Sequence, residues 1–440
     1  MVIITGGLLV AWGAEVAIRG KRTVHVQRRL KWSLIGYLLV ASWALFQISS
    51  FAPAAWHHPI WLIAAEALPA PGPGRIAIDP QAGMHILLRL ISYAAIFWLA
   101  FQTGHDRGLA KFGLGGIAVA SGATVAIGMM SWLMGWDDFL WFSAHGSRQA
   151  SSFGSRLAIP FVNPNHLSSL AGIGLVCAAG FLVGETRGLW RLETPRQEKL
   201  RRFLEMVVAK YWYVVVSGLV LAAALIMSIS RGGFVAAAFG FIALVAALLR
   251  QSRPKASFIF VIVLGTALAV IALFGPGLAR LLDRVDQNEL GADQRIVIYE
   301  NSLDAIAASP WLGYGLGSFK SVYRMYDQSN LTTIVDAAHN SFLENTLELG
   351  IVGGLVLFAT IMIPVIHCWN GAVLRRQDQH IPAVGFAVSI LCAAHSLVDF
   401  PMQIPAIAAS FAFILGIGCA QSLSSRVAQG GTQSGRGGIV

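Results

Sequence analysis

Most of the residues able to do chemistry fall in one stretch, residues 295–354, which reads RIVIYENSLDAIAASPWLGYGLGSFKSVYRMYDQSNLTTIVDAAHNSFLENTLELGIVGG. His339 stands in its AHN triplet at the mouth of an apolar run. Asp336 and Asn340 are beside it, and Glu344 and Glu348 follow on the same run. An imidazole titrates near neutrality, so it can take a proton from a hydroxyl. The plainer alternative is a histidine at an interfacial helix N-terminus, bonded to backbone. Arg295 opens the stretch, one helical run and one turn before His339. A guanidinium suits two-pronged phosphate binding. In a loop that also holds Asp283, Arg284, Asp286, Glu289, Asp293, Glu300 and Asp304, the alternative is a surface salt bridge.

Other candidates lie outside this stretch. Arg231, in MSISRGGFVAAAFG, sits between two apolar runs joined by almost nothing. Facing lipid at mid-bilayer it would cost at least ~2.5 kcal/mol. It therefore sits at the outer interface or meets an anion; snorkelling is the alternative. Asn163, Asn165 and His166 in PFVNPNH end a loop and open an apolar run. Asn165 is the expected helix N-cap, and ligand contact is the competing reading for all three. Arg148 and Arg156 in the same loop add positive field over a phosphate or bind lipid head groups. Asp399, in SLVDFPMQIPA, is a carboxylate at a depth where it needs a partner. It holds an arginine or caps the last helix. The GYGLGSF glycines (Gly313, Gly315, Gly317) follow no strand and read as a compact turn rather than a nucleotide loop.

The elements that position these groups are membrane helices. The chain has 440 residues, 56% hydrophobic and 12% charged, against roughly 25% charged in soluble domains. Mean hydropathy is +0.65. Taking about 20 apolar residues per crossing, eleven spans are expected. They lie near 2–18, 32–51, 84–103, 112–134, 166–184, 211–229, 233–249, 257–275, 346–367, 383–399 and 404–421. No cleavable signal peptide is read at the start. Despite a net charge of +10, nucleic acid is not an expected partner, because the basic residues flank apolar spans rather than form one patch. Of the 32 Lys and Arg, 22 fall in 19–31, 104–111, 185–210, 250–256, 368–382 and the tail, which makes that side cytoplasmic. The outward segments are then 52–83, 135–165 and 276–345. The first has an interfacial helix around Trp56 to Leu68. The second has an aromatic belt of Trp136, Phe139, Trp141 and Phe142. The third has a helix over Arg295–Ala308 with Ile296, Ile298, Tyr299, Leu303 and Ile306 on its apolar face. Residues 1–421 form one transmembrane domain, and 422–440 read as a disordered cytoplasmic tail. The four cysteines show no disulfide or zinc spacing.

Five stretches in order over roughly 150–405 resemble the O-antigen ligase and polysaccharide polymerase superfamily, the WaaL/Wzy type. They are NPNH (163–166), SRGG (230–233), Arg295 with SPWLGYGLGSF (309–319), AHNSFLENTLELGIVGG (338–354) and DFPMQIPA (399–406). The resemblance implies an all-α GT-C-like membrane protein of eleven or twelve helices in the bacterial inner membrane, with its active site facing the periplasm. It implies a metal-independent glycosyltransferase without a cofactor. The donor is a glycan on undecaprenyl pyrophosphate, and the acceptor is a growing glycan or lipid A-core. Other polysaccharide-assembly proteins are conceivable partners. Arg231 and Arg295 would bind the pyrophosphate, and His339 would activate the acceptor hydroxyl. Arg156, Asn163, Asn165, His166, Asn340, Glu344 and Asp399 would line the substrate site. The motif wording leans to a polymerase. The alternative, a transporter or flippase of envelope precursors, needs polar residues along several mid-span helices. The apolar runs are nearly clean apart from Glu15, His395 and Asp399.

Overall fold

The computed structural model describes residues 1–19, 28–69, 72–134, 156–190, 194–250, 292–327, 335–375 and 377–422. Every regular element among them is a helix. In chain order these are α1 (Val2–Arg19), α2 (Lys31–Ile48), α3 (Ile60–Ala67), α4 (Pro80–Thr103), α5 (Arg107–Leu133), α6 (Pro164–Trp190) and α7 (Arg196–Lys210). They continue with α8 (Trp212–Met227), α9 (Arg231–Leu249), α10 (Ala292–Ala308), α11 (Phe319–Tyr326), α12 (Ser341–Leu374), α13 (His380–Ser396) and α14 (Pro405–Ser422). Among the described residues seven helices are long and apolar enough to cross a membrane: α2, α4, α5, α6, α9, α12 and α14. An eighth crossing results if α7 and α8, bent by 86° at Tyr211, count as one; α1 and α13 are shorter apolar helices. Ten of the eleven expected spans fall on these helices. The span at 257–275, the aromatic belt, Arg148 and the tail lie outside the described residues. The chain is an all-α polytopic membrane protein.

Lipid and neighbouring helices sort the two kinds of side chain. Leu34, Leu38, Leu45, Leu219 and Ile242 point outward. The inward stripe of α5 is made of small residues, Gly113, Gly115, Ala118, Ser121 and Gly122, which let α6 and α8 approach closely. α13 lies deepest, packed on α6, α9, α12 and α14. Val384, Val388 and Leu391 of α13 join Ile173, Val176 and Leu244 in the main core. The last turn of α13 therefore delivers residues 395–400 to the middle of one end of the bundle. At the opposite end Arg107 pairs with Asp378 at 2.7 Å, Lys111 with Glu185 at 2.5 Å, and Gln421 donates to the carbonyl of Gly104.

Two local expectations are corrected. Of the expected apolar face of α10, Ile298 and Ile306 are buried and Tyr299 packs against the same cluster, while Ile296 and Leu303 are 53% and 52% exposed. The buried stripe takes in Ser302 and Ala305 instead, where α10 packs against α12. The connection 185–210 is largely helical, because α6 runs past 184 to Trp190 and α7 follows.

Candidate active site

A break in α12 sets the frame. Gly350 has φ 76° and ψ 166°, so the helix interrupts itself at the end of ELG. The carbonyls left open are taken by other segments. Glu348 O accepts from Gly315 N–H at 2.9 Å and from Gln47 Nε2 at 3.0 Å; Leu349 O accepts from Trp43 Nε1 at 2.9 Å. Ile351 N–H donates to Pro310 O at 2.8 Å. The docking segment is GYGLGSF, whose three glycines all have positive φ (64°, 90° and 72°). A Cβ on Gly313 would strike the carbonyl of Glu348. The Glu348 carboxylate accepts the N–H of Phe319 at 3.2 Å. The two most distinctive sequence blocks are thus the two halves of one joint, and the joint fixes the start of α12.

That start carries His339. Asn340 caps α12, its Oδ1 accepting from Phe342 and Leu343 N–H at 3.0 and 3.1 Å. Glu344 is buried and braces the approach, accepting Ala338 N–H at 3.0 Å and bonding Gln403. Both side chains are committed to the backbone and to each other's segments rather than to open space. His339 itself has φ 50°, a conformation rare outside glycine, and it is held there by Tyr299 Oη, which donates to its carbonyl at 3.0 Å. Burial raises the Tyr299 pKa, which keeps the phenol a donor. Asp336 turns away to Lys320 at 2.5 Å.

Asp399 lies at the centre, 1% exposed. Its Oδ1 is 3.4 Å from His339 Nδ1, a charge contact slightly too long for a good hydrogen bond, and its Oδ2 has no partner among the described residues. Burial pushes this carboxyl up, but His339, then His166 and His395, outweigh burial and hold it below the usual carboxylate range. The ring of Phe400 sits between His166 and His339, edge-on to both at 4.8 and 5.1 Å. Ser341 Oγ donates to Asp399 O at 3.3 Å.

Both arginines border this centre. Arg295 Nη1 donates to Val398 O at 2.9 Å, and its Nε is buried without a partner among the described residues. Arg231 is the exposed first residue of α9, after the Ser230 cap. A Cβ on Gly232 would lie 3.2 Å from Val398 Cγ2, so the first turn of α9 abuts the residue that holds Arg295.

The 156–166 segment works differently from expectation. Arg156 is 3% exposed and sits behind the Ser228–Arg231 turn. It donates to Ser228 O at 3.0 Å, to Ile229 O at 3.3 Å and to Asn165 Oδ1 at 3.5 Å, so it shapes the turn from inside. The N-cap of α6 is Asn163, whose Oδ1 accepts Asn165 N–H at 2.8 Å, not Asn165. Pro164 takes the first helical position, which moves the cap one step earlier than the sequence reading placed it. The sequence reading also gave no site role to His395, Ser169, Tyr299 or Gln403. His395 was legible as one of the few ionisable groups in an apolar run; the others carried no signal. Among the described residues no group of three or more His, Cys, Asp and Glu side chains is arranged to hold a metal ion. The four cysteines are buried and free.

The fold and this polar end define a polytopic helical membrane protein with a histidine–carboxylate centre flanked by two guanidiniums. Residues 216–358 match the family model Wzy_C, O-antigen ligase. A general O-oligosaccharyltransferase of Acinetobacter baylyi is 25% identical over 166 residues, covering 34% of this chain. The match spans only 28% of the length of that relative. These findings bear out the resemblance to the O-antigen ligase superfamily that the motifs carry.

Proposed function

We propose that the protein is a membrane glycosyltransferase that moves a glycan from a polyprenyl diphosphate donor, undecaprenyl pyrophosphate in bacteria, to an acceptor hydroxyl at the non-cytoplasmic face of the inner membrane. The observation that carries this reading is the meeting of His339, Asp399 and Arg295 with the Arg231 turn at one end of the bundle. The names of the matched family and relative, both glycan-transferring, support it.

Arg231 and Arg295 supply positive charge for the diphosphate and for the charge that grows on it as it leaves. His339 faces Asp399 through Nδ1, which leaves Nε2 to take the acceptor proton. The acceptor oxygen attacks the anomeric carbon as the carbon–oxygen bond to phosphate breaks. The electron pair goes to the diphosphate and the proton to His339, and the anomeric centre inverts. Asp399 balances the imidazolium that results. Since guanidiniums neutralise the leaving group, the reading needs no metal ion.

His339→Ala is expected to lower turnover about 10²- to 10⁴-fold with donor binding retained. An unchanged rate would remove His339 from the chemistry. A deletion strain distinguishes the acceptors: uncapped core with accumulated lipid-linked polymer identifies a ligase, and core capped by a single repeat identifies a polymerase. Normal lipopolysaccharide and exopolysaccharide would overturn the reading.

A further inference from the structure

α7 carries five basic and two acidic side chains in 15 residues, too many to enter the hydrocarbon, and it meets α8 at 86°. α8 is an apolar helix of 16 residues, about 24 Å long and so close to the thickness of a bilayer core. Its first residues, Trp212 and Tyr213, are exposed, and Lys210 stands 5.1 Å from the Tyr211 ring. Two other helix ends in segments read as cytoplasmic carry the same pairing, Lys31 over Trp32 and Arg250 over Trp369. Aromatic rings beside cations mark the level where helices leave the hydrocarbon. α8 therefore crosses the bilayer, and α7, nearly at a right angle to it, runs along the surface. The bend is held by buried Tyr211, whose hydroxyl donates to Glu185 at 2.5 Å, the same carboxylate that pairs with Lys111.

Burial divides α7 into three sectors. Lys199, Phe203, Met206 and Val207 turn toward the bundle, and Met206 packs against the main core. Arg201, Arg202 and Glu205 are exposed on a second face, where Arg201 and Arg202 both donate to Glu198. Leu200, Leu204 and Val208, four residues apart, form a third stripe and are 54%, 51% and 68% exposed. With 3.6 residues per turn, this stripe stands between the bundle-facing sector and the charged one. Three large aliphatic side chains thus point away from the protein beside a sector that needs water.

We propose that α7 is an interfacial anchor: Leu200, Leu204 and Val208 dip into the acyl chains of the cytoplasmic leaflet, and the excess of basic side chains sits among anionic headgroups. A helix with one open apolar stripe and a net charge of +3 is stabilised by both contacts. The 86° bend sets the depth, since it places the stripe level with Trp212 and Tyr213 at the start of the crossing helix. The anchor lies at the end of the bundle opposite His339, beside the Lys111–Glu185 pair, and is independent of the glycan-transfer reading.

The test uses the purified full chain in bilayers of phosphatidylcholine with about 30% phosphatidylglycerol, each variant carrying a nitroxide on one introduced cysteine. The four native cysteines are buried, and the unsubstituted chain gives the labelling background. Electron paramagnetic resonance compares relaxation by oxygen, which concentrates in lipid, with relaxation by a water-soluble nickel chelate. The oxygen-to-nickel ratio at Leu204→Cys is expected to exceed that at Glu205→Cys at least about 5-fold, with Val208→Cys matching Leu204→Cys. Val208→Cys is decisive if Leu204→Cys does not fold. Equal ratios on the two faces overturn the lipid contact. A label at Leu204→Cys shielded from both agents also overturns it, because protein then covers the stripe. In pure phosphatidylcholine the ratio at Leu204→Cys is expected to fall at least about 2-fold, and an unchanged ratio overturns the role of anionic headgroups.

Discussion

Asp399→Asn tests the centre of the site most directly. The substitution keeps shape and burial but removes the charge 3.4 Å from His339 Nδ1. Two unit charges at that distance interact by about 5 kcal/mol at an effective dielectric of about 20. Part of this is offset because the contact is longer than a formed hydrogen bond and the carboxylate is desolvated. A net loss of about 2–4 kcal/mol from the transition state remains, or roughly 30- to 1000-fold in turnover. The arginines are untouched, so the donor KM is expected to move less than about 3-fold. The assay is transfer of a lipid-linked glycan by purified protein, with rates at saturating and limiting donor. A variant retaining more than a third of wild-type turnover would refute the pairing. Stability supplies a check on the sign. A carboxyl with a depressed folded pKa contributes stability that is fully present above its unfolded pKa, about 3.9, and is lost as pH falls through the folded value. The carboxylate of Asp399 therefore stays ionised through ordinary assay conditions, and the wild-type advantage over Asp399→Asn should shrink in strong acid.

Two further substitutions test the supports. Gly350→Ala places a Cβ against the carbonyl of Trp311 at a positive φ, and is expected to cost at least ~2 kcal/mol, seen as a lower unfolding temperature in detergent; Gly116→Ala, whose Cβ meets nothing within 4 Å, should be neutral or slightly stabilising. Arg156→Met strips the donors from Ser228 O and Ile229 O and is expected to cost about 2–4 kcal/mol and raise the donor KM through a displaced Arg231. Unchanged unfolding and unchanged KM would show that the turn stands without it.

Much of the fold was readable in advance, because transferring a helix into lipid is a local property of about 20 residues and shows in composition. Ten apolar runs became ten helices on that basis. His339, Arg231, Arg295 and Asp399 were also visible singly, since an ionisable group beside apolar sequence stands out. Asn165 was misassigned as a cap for a reason present in the sequence, since Pro164 prefers the first helical position. Ile296 and Leu303 of α10 turn out exposed although Ile298, Tyr299 and Ile306 of the same expected face pack inward, because the partner helix, which the local period does not contain, sets the rotation of the buried stripe.

What composition and spacing determined by themselves was a helical membrane protein with a few polar groups too costly to leave facing lipid. What they left open was which of those groups face one another. Ser169 and His395 are 226 residues apart, and Arg295 and Val398 are 103 apart. Their meeting depends on the rotation of each helix about its axis and on close approaches at small residues such as Gly232, Gly313 and Gly350. Those are set by packing between distant segments, which no single window of sequence contains.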